Sequence, residues 1–223
     1  MGTLFVVGTP IGNMDDISGR ALEVFSNVDL ILAEDTRVTQ KILNTFEINT
    51  PVGRYNEHKP EGAFEKVRKL LEEGKSVALV SDSGTPGISD PGGKMVEYVQ
   101  SQVKEAGILV VPGPSAVAAA LSVSGMPANE FTFLGYPPAK KKRKKFFKRV
   151  AEIETRPVVL YESPHRFLKT LNELRDVVGG EKDIFVAREM TKMYEEHFRG
   201  SLDLAISHFE EGQVKGEFVI VVE

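Results

Sequence analysis

Cysteine is missing from all 223 residues, which excludes disulfides and thiolate-held metal centres. The four histidines, His58, His165, His197 and His208, are scattered without ligand spacing, so no metal site is expected. No apolar run approaches the roughly 20 residues that cross a bilayer. Met1-Gly2-Thr3 leads straight into Leu4-Phe5-Val6-Val7, with no basic n-region and no small-residue cleavage site. A signal peptide is therefore not expected, and the absence of cysteine fits a cytoplasmic protein.

What remains has an ordinary globular balance, 41% apolar and 27% charged, enough to bury one large core or two small ones. The net charge of −4 argues against a nucleic-acid partner, but its distribution argues the other way. Residues 140–149 (Lys-Lys-Lys-Arg-Lys-Lys-Phe-Phe-Lys-Arg) carry eight cations and no acid, and taking those eight from −4 leaves −12 on the rest. An acidic body with one concentrated basic segment suits a polyanion met at one place. A solvated helix face or a lysine-rich linker gives the same pattern.

Apolar runs predict strands at 4–7, 30–33, 77–80 and 108–111, alternating with helices. A helix is expected after Asp16 with Ala21, Leu22, Phe25 and Val28 along one face. Others fall near 38–43, over 61–73 ending at Gly74, and from Asp90-Pro91, an N-cap side chain followed by a first-turn proline. This alternation predicts a mostly parallel sheet covered on both faces. The second half reads differently. An alanine-rich helix at 116–123 precedes a strand at 131–134, broken by Gly135-Tyr136-Pro137-Pro138. A basic helix then runs to about Ile153. Strands follow at 158–161, 183–187, 194–199 and 217–222, with helices opened by Ser163-Pro164 and near 202–209, which predicts a mixed sheet. The boundary between two α/β domains is placed after Pro112, giving residues 1–112 and 113–223.

Six polar, Gly/Pro-rich loops each follow a strand and precede a helix. They are Gly8-Thr9-Pro10-Ile11-Gly12-Asn13, Glu34-Asp35-Thr36-Arg37, residues 81–92, Pro112-Gly113-Pro114-Ser115, Glu162-Ser163-Pro164-His165-Arg166 and Arg188-Glu189-Met190-Thr191-Lys192. In parallel segments such loops gather on one rim, where α/β proteins bind ligands. The loop at 81–92, Ser-Asp-Ser-Gly-Thr-Pro-Gly-Ile-Ser-Asp-Pro-Gly, is the most telling. It is too long for a simple strand-to-helix turn. No Gly-Lys-Ser/Thr makes it a phosphate loop, and its prolines exclude a dinucleotide fingerprint. A rigid surface of exposed backbone groups for a small polar ligand is what remains.

Together these motifs closely resemble the tetrapyrrole-methylase superfamily and, within it, the bacterial 16S ribosomal RNA cytidine 2′-O-ribose methyltransferases. The resemblance covers nearly the whole chain. It implies two α/β domains with a cofactor cleft between them, S-adenosylmethionine as methyl donor, and a homodimer. It also implies a cytidine ribose of the small-subunit decoding centre as acceptor. By resemblance, Pro10, Asp82, Gly84, Thr85, Ile88, Ser115 and Ala116 border the cofactor, and Tyr161 and Arg188 close over its adenosine. As plain residues, Asp82 is an Asx turn cap, Ser115 an N-cap and Tyr161 a packing residue. A ribose hydroxyl must lose its proton to attack, so a base is sought among Glu34, Asp35, His58, Glu162 and Glu189. The loop holding Glu34, Asp35 and Arg37 is expected near the acceptor. Lys141, Lys142, Arg143, Lys144, Lys145, Arg166 and Lys192 are the expected phosphate contacts, and ion pairs within the protein are the alternative for the arginines. Lys59 stands where the family more often has asparagine. The other functions open to these motifs are a methylase of a small tetrapyrrole or of a protein side chain, and an RNA-binding module with a vestigial cofactor site.

Overall fold

A computed structural model of the chain describes residues 1–57, 60–212 and 214–223. His58 and Lys59 lie outside the described residues. The chain forms two compact units, Met1–Ser115 and Ala116–Glu223.

The first unit holds strands β1 (Thr3–Val7), β2 (Leu30–Ala33), β3 (Val52–Arg54), β4 (Val77–Leu79) and β5 (Gly107–Val111) in the order β3-β2-β4-β1-β5. Every pairing is parallel. Helices α1 (Gly19–Asn27), α2 (Thr36–Thr45), α3 (Glu61–Glu72) and α4 (Gly93–Gln102) cover both faces. β2 shows why its sequence is apolar throughout. Ile31 and Ala33 pack with Ala21, Phe25 and Leu43 on one side, while Leu30 and Leu32 pack with Val67, Leu71 and Met95 on the other. A strand buried on both faces has no polar alternation to show.

Three local expectations shift. β3 was not expected; it is three residues long with glycine at its centre, and a Cβ on Gly53 would crowd the side chains of Leu30 and Leu32. Ser18, not Asp16, caps α1, its Oγ accepting the Ala21 N–H at 3.1 Å, while Asp16 sits in a preceding 3-10 turn. α4 begins at Gly93, beyond Asp90-Pro91, because the chain turns through Gly92 at φ 145°.

The second unit holds α5 (Ala116–Ser124), β6 (Thr132–Gly135), α6 (Arg143–Glu152), β7 (Val158–Glu162), α7 (Phe167–Val178), β8 (Asp183–Arg188), β9 (Glu196–Ser201), α8 (Leu202–Glu211) and β10 (Phe218–Val222). The sheet order is β6-β7-β10-β8-β9, parallel between β6 and β7 and antiparallel elsewhere. β10, Phe-Val-Ile-Val-Val, is the fully buried central strand. Its Val219 and Val221 face α5, and its Phe218, Ile220 and Val222 face the core shared with α6, α7 and α8. No helix among the described residues is long and apolar enough to cross a membrane.

Candidate functional site

The carboxyl ends of β1, β2, β4 and β5 bring four of the six loops onto one rim of the first unit. Gly8 and Gly113 bring two backbones together there: a Cβ on either would lie 2.8 Å from main-chain atoms of the other. Thr9 pairs with Gly84 in both directions, its N–H donating at 2.9 Å and its carbonyl accepting at 3.2 Å. The buried Thr9 hydroxyl also lies 3.2 Å from the Ser81 carbonyl and 3.3 Å from that of Gly84. Thr85 Oγ1 donates to the Pro114 carbonyl at 3.3 Å. Asp82 Oδ1 accepts the Asp35 N–H at 2.9 Å, tying the loop after β4 to the loop after β2. Gly84 and Gly87 have φ of 80° and 83°, a region costly for other residues.

The rim thus gathers Pro10, Asp82, Gly84, Thr85 and Ile88, with Ser115 at the end of the unit. Pro10 and Gly84 are buried and Ile88 is exposed. Thr9 and Ser81, which sequence reasoning passed over, hold this surface together; both are buried polar residues. Their only signal in the sequence is a hydroxyl directly flanking a glycine-rich turn.

On the loop after β2, Asp35 is the N-cap of α2, Oδ1 accepting the Arg37 N–H at 2.9 Å. The Arg37 side chain also bonds both carboxylate oxygens. These hydrogen bonds, first from the guanidinium and then from the backbone N–H, lower the Asp35 pKa to about 2. A group so acidic is a poor proton acceptor near neutrality. Glu34 is exposed at the end of β2.

In the second unit the basic segment divides. Lys140, Lys141 and Lys142 precede α6, and Lys144, Lys145 and Lys148 lie along it, all exposed. Arg143 turns inward and is only 4% exposed, which corrects its assignment as a phosphate contact. Its Nη1 donates to the Pro138 carbonyl at 3.0 Å, Nη2 to Thr170 Oγ1 at 2.6 Å and Nε to Glu173 Oε2 at 2.5 Å, and its guanidinium lies over the Phe147 ring. At the centre is Glu162, fully buried on β7. One of its oxygens accepts from the Ser163 N–H at 2.8 Å and pairs with Arg166 at 2.9 Å; the other accepts from Thr170 Oγ1 at 2.5 Å. Glu162 is therefore an ion-pair hub and not an accessible base. Arg166 is also engaged, donating to the Pro137 carbonyl at 3.0 Å.

Tyr161 and Arg188 do not share a face. Antiparallel register sets Tyr161 opposite Val219, on the α5 side with Ala116 and Phe133, whereas Arg188 lies opposite Phe218 on the other side. There Arg188 bonds the Lys215 carbonyl and Glu196, whose second oxygen meets His208 at 2.7 Å. The two residues expected at one adenosine thus lie on opposite faces of this sheet, and Tyr161 shares its face with Ala116. Glu189 is likewise committed, its Oε1 accepting from Lys192 at 2.8 Å and from the Glu217 N–H at 2.9 Å. Burial pushes its pKa up, but these bonds outweigh burial and hold it below the ordinary value. Lys192 also pairs with Glu217, so its charge is balanced inside the unit.

A parallel α/β unit whose strand-end loops are tied by main-chain pairs, followed by a mixed α/β unit, defines a two-unit α/β architecture. The family model of the tetrapyrrole (corrin/porphyrin) methylases matches residues 3–205, and the chain belongs to that family. Among its relatives is the ribosomal RNA small subunit methyltransferase I of Thermotoga maritima, 46% identical over 222 residues and covering 100% of this chain and 98% of that protein. The protein of the same name from Bacillus subtilis is 42% identical over 225 residues, covering 100% of this chain and 75% of its own length. Among solved structures, the methyltransferase CobJ aligns with a TM-score of 0.72 at 19% identity, over 100% of this chain and 94% of that one. Uroporphyrin-III-C-methyltransferase from Thermus thermophilus aligns at 0.70 and 18%, over 99% and 94%. At those identities the structures attest the fold.

Proposed function

We propose that this chain is an S-adenosylmethionine-dependent methyltransferase of small-subunit ribosomal RNA, acting on the 2′-hydroxyl of a cytidine ribose in the decoding centre. The observation that carries the reading is the full-length identity to relatives named for small-subunit RNA methylation, 46% over 222 residues. The exposed lysines of α6 and its approach support an RNA substrate over a small tetrapyrrole, which has no use for such a run.

The rim of the first unit fits the methyl donor. S-Adenosylmethionine, when bound, supplies an electrophilic methyl carbon on a sulfonium that leaves without needing an acid. The close pass of Gly8 over Gly113 and the turned backbone at Gly84 offer main-chain groups to an amino-acid end, and the Asp82 carboxylate offers a partner to its ammonium. Thr9, Ser81 and Thr85 fix those groups in advance, so little ordering remains to be done on binding. Ser115 and Ala116 adjoin this rim in sequence, and Tyr161 shares its packed face with Ala116. Holding an acceptor hydroxyl in line with the methyl carbon supplies about 7 kcal/mol or more of barrier reduction. Within the loop after β2, Asp35 is unsuited to take the hydroxyl proton, because it is spent on capping α2 and on Arg37. A ribose 2′-hydroxyl as acceptor also makes the enzyme select RNA over DNA.

The reading extends to the 30S subunit as the working substrate, to the cytoplasm as the place of action, and to a homodimer. The last is supported by Leu109 and Val110, 49% and 58% exposed on β5, the final strand of its sheet. The test is methyl transfer from labelled S-adenosylmethionine to 30S subunits from a strain lacking the modification, with nuclease mapping of the product. Label in one cytidine ribose of 16S RNA is expected. Cofactor binding by calorimetry without label in RNA would sink the reading.

A further inference from the structure

The loop between β6 and α6 carries Tyr136, a large aromatic side chain left 44% exposed. Its surroundings hold it in place. β6 slips register against β7 between Phe133 and Gly135, a bulge of the kind that re-aims the residues after it. Gly135 then turns through φ 65° and is buried. The two residues after Tyr136 are prolines, which have no N–H to anchor them, so only their carbonyls can be held. Both are. Arg166 donates to Pro137 and Arg143 to Pro138, each at 3.0 Å, and both guanidiniums pair with buried Glu162. The Tyr136 ring is also backed by another, its centroid 5.4 Å from that of Tyr161, which in turn meets Phe133 at 4.9 Å. Five residues later the exposed lysines begin in earnest, so Lys141 lies within about 18 Å of Tyr136 along the chain.

We infer that Tyr136 is a stacking platform for an unpaired nucleobase of the RNA, with Lys141, Lys142, Lys144 and Lys145 taking the neighbouring phosphates. A rigid, exposed ring beside a row of flexible cations is the pairing by which proteins hold single-stranded nucleic acid. Arg143 and Arg166 are positioning residues in this scheme. They hold the platform's loop and touch no phosphate. The inference rests on the RNA reading above and assigns a base contact that the reading does not contain.

The chain has no tryptophan, so Tyr136→Trp places a single fluorescent reporter at the platform. The full-length variant is titrated with a ten-nucleotide oligocytidylate RNA, with an abasic oligonucleotide of equal length, and with S-adenosylhomocysteine. Quenching by the RNA, and not by the abasic strand, is expected. Wild type and Tyr136→Phe are expected to bind the RNA alike, and Tyr136→Ala about 10-fold more weakly. The slope of affinity against salt should be unchanged in Tyr136→Ala and shallower in Lys144→Ala/Lys145→Ala, because only the lysines release counterions. Equal affinity of wild type and Tyr136→Ala would overturn the platform while leaving the RNA reading standing, and so would quenching by S-adenosylhomocysteine alone. Failure of the wild type to bind the oligocytidylate would overturn the platform, and the RNA reading falls with it only if 30S subunits also take no label.

Discussion

In the first unit the loops at the sheet's carboxyl edge are held by main-chain pairs and hydroxyls, whereas in the second a buried cluster of charges holds the loop after β6. The rim uses Thr9, Ser81, Thr85 and one aspartate against backbone atoms, and two glycines bring its strands' ends together. The cluster uses Glu162, Arg143, Arg166, Thr170 and Glu173 against each other and against two prolyl carbonyls. The difference follows from what each surface must present. A rim built from close-passing backbones needs small residues, and it loses little when one hydroxyl goes, since each hydrogen bond contributes about 1 kcal/mol. A buried charged cluster fails as a whole, because removing one ion strands its partners in low dielectric.

The sharpest way to break this contrast is Glu162→Ala. With both arginines left without their shared carboxylate, a loss of about 3–5 kcal/mol is expected in urea unfolding of the full chain. Glu162→Gln, which keeps the shape and an acceptor, should lose less. A loss near zero for Glu162→Ala would mean that the cluster is no keystone and that the two units are held alike. Next in size is Gly8→Ala. The added methyl meets the Gly113 backbone at 2.8 Å, and neither side is a flexible side chain that can move aside. About 1–3 kcal/mol of stability should go. Cofactor affinity by calorimetry should fall by more than that strain alone implies, because the rim itself is displaced. Smaller again is Thr9→Val, which deletes a hydroxyl near two carbonyls but keeps the backbone pair with Gly84: about 0.5–1.5 kcal/mol by thermal unfolding.

The same contrast explains what the sequence made legible. Glycines and prolines at strand ends are demanded by backbone geometry, so residues 81–92 could be read as a rigid turned loop from residue types alone, and the parallel sheet beneath followed from apolar runs at βα spacing. A charged side chain carries no such mark. Arg143 sits in a row of exposed lysines and looks like one of them, yet it points into the core; Glu162 and Glu189 read as possible bases and are ion-pair partners. Direction along a helix or strand decides these cases, and it depends on where each element begins. α6 starts at Arg143, which sets the inward stripe as Arg143, Phe147 and Val150. β8 places Arg188 across from Phe218, which sends it away from Tyr161. β3 was missed because three residues with a central glycine carry too little pattern to register.

The smallest expected effect belongs to Asp35, where rim and charge meet in one residue. Its folded pKa of about 2 lies below the ordinary 3.8, so the stabilisation it provides is complete above about pH 4 and is lost as pH falls toward 2. At neutral pH it holds a charge and little affinity for a proton. Asp35→Asn tests that directly, since asparagine caps a helix as well as aspartate does and the Arg37 N–H keeps an acceptor. If Asp35 only caps α2, the variant's kcat should stay within about 3-fold of wild type and the acidic limb of its pH–rate profile should not move. If Asp35 were the base, removal should cost about 10²–10⁴-fold. A loss of that size would make the loop after β2 a charged device like the cluster around Glu162 and end the distinction between the two units; a small effect strikes Asp35 from the candidate bases and keeps it among the groups that merely hold the rim in shape.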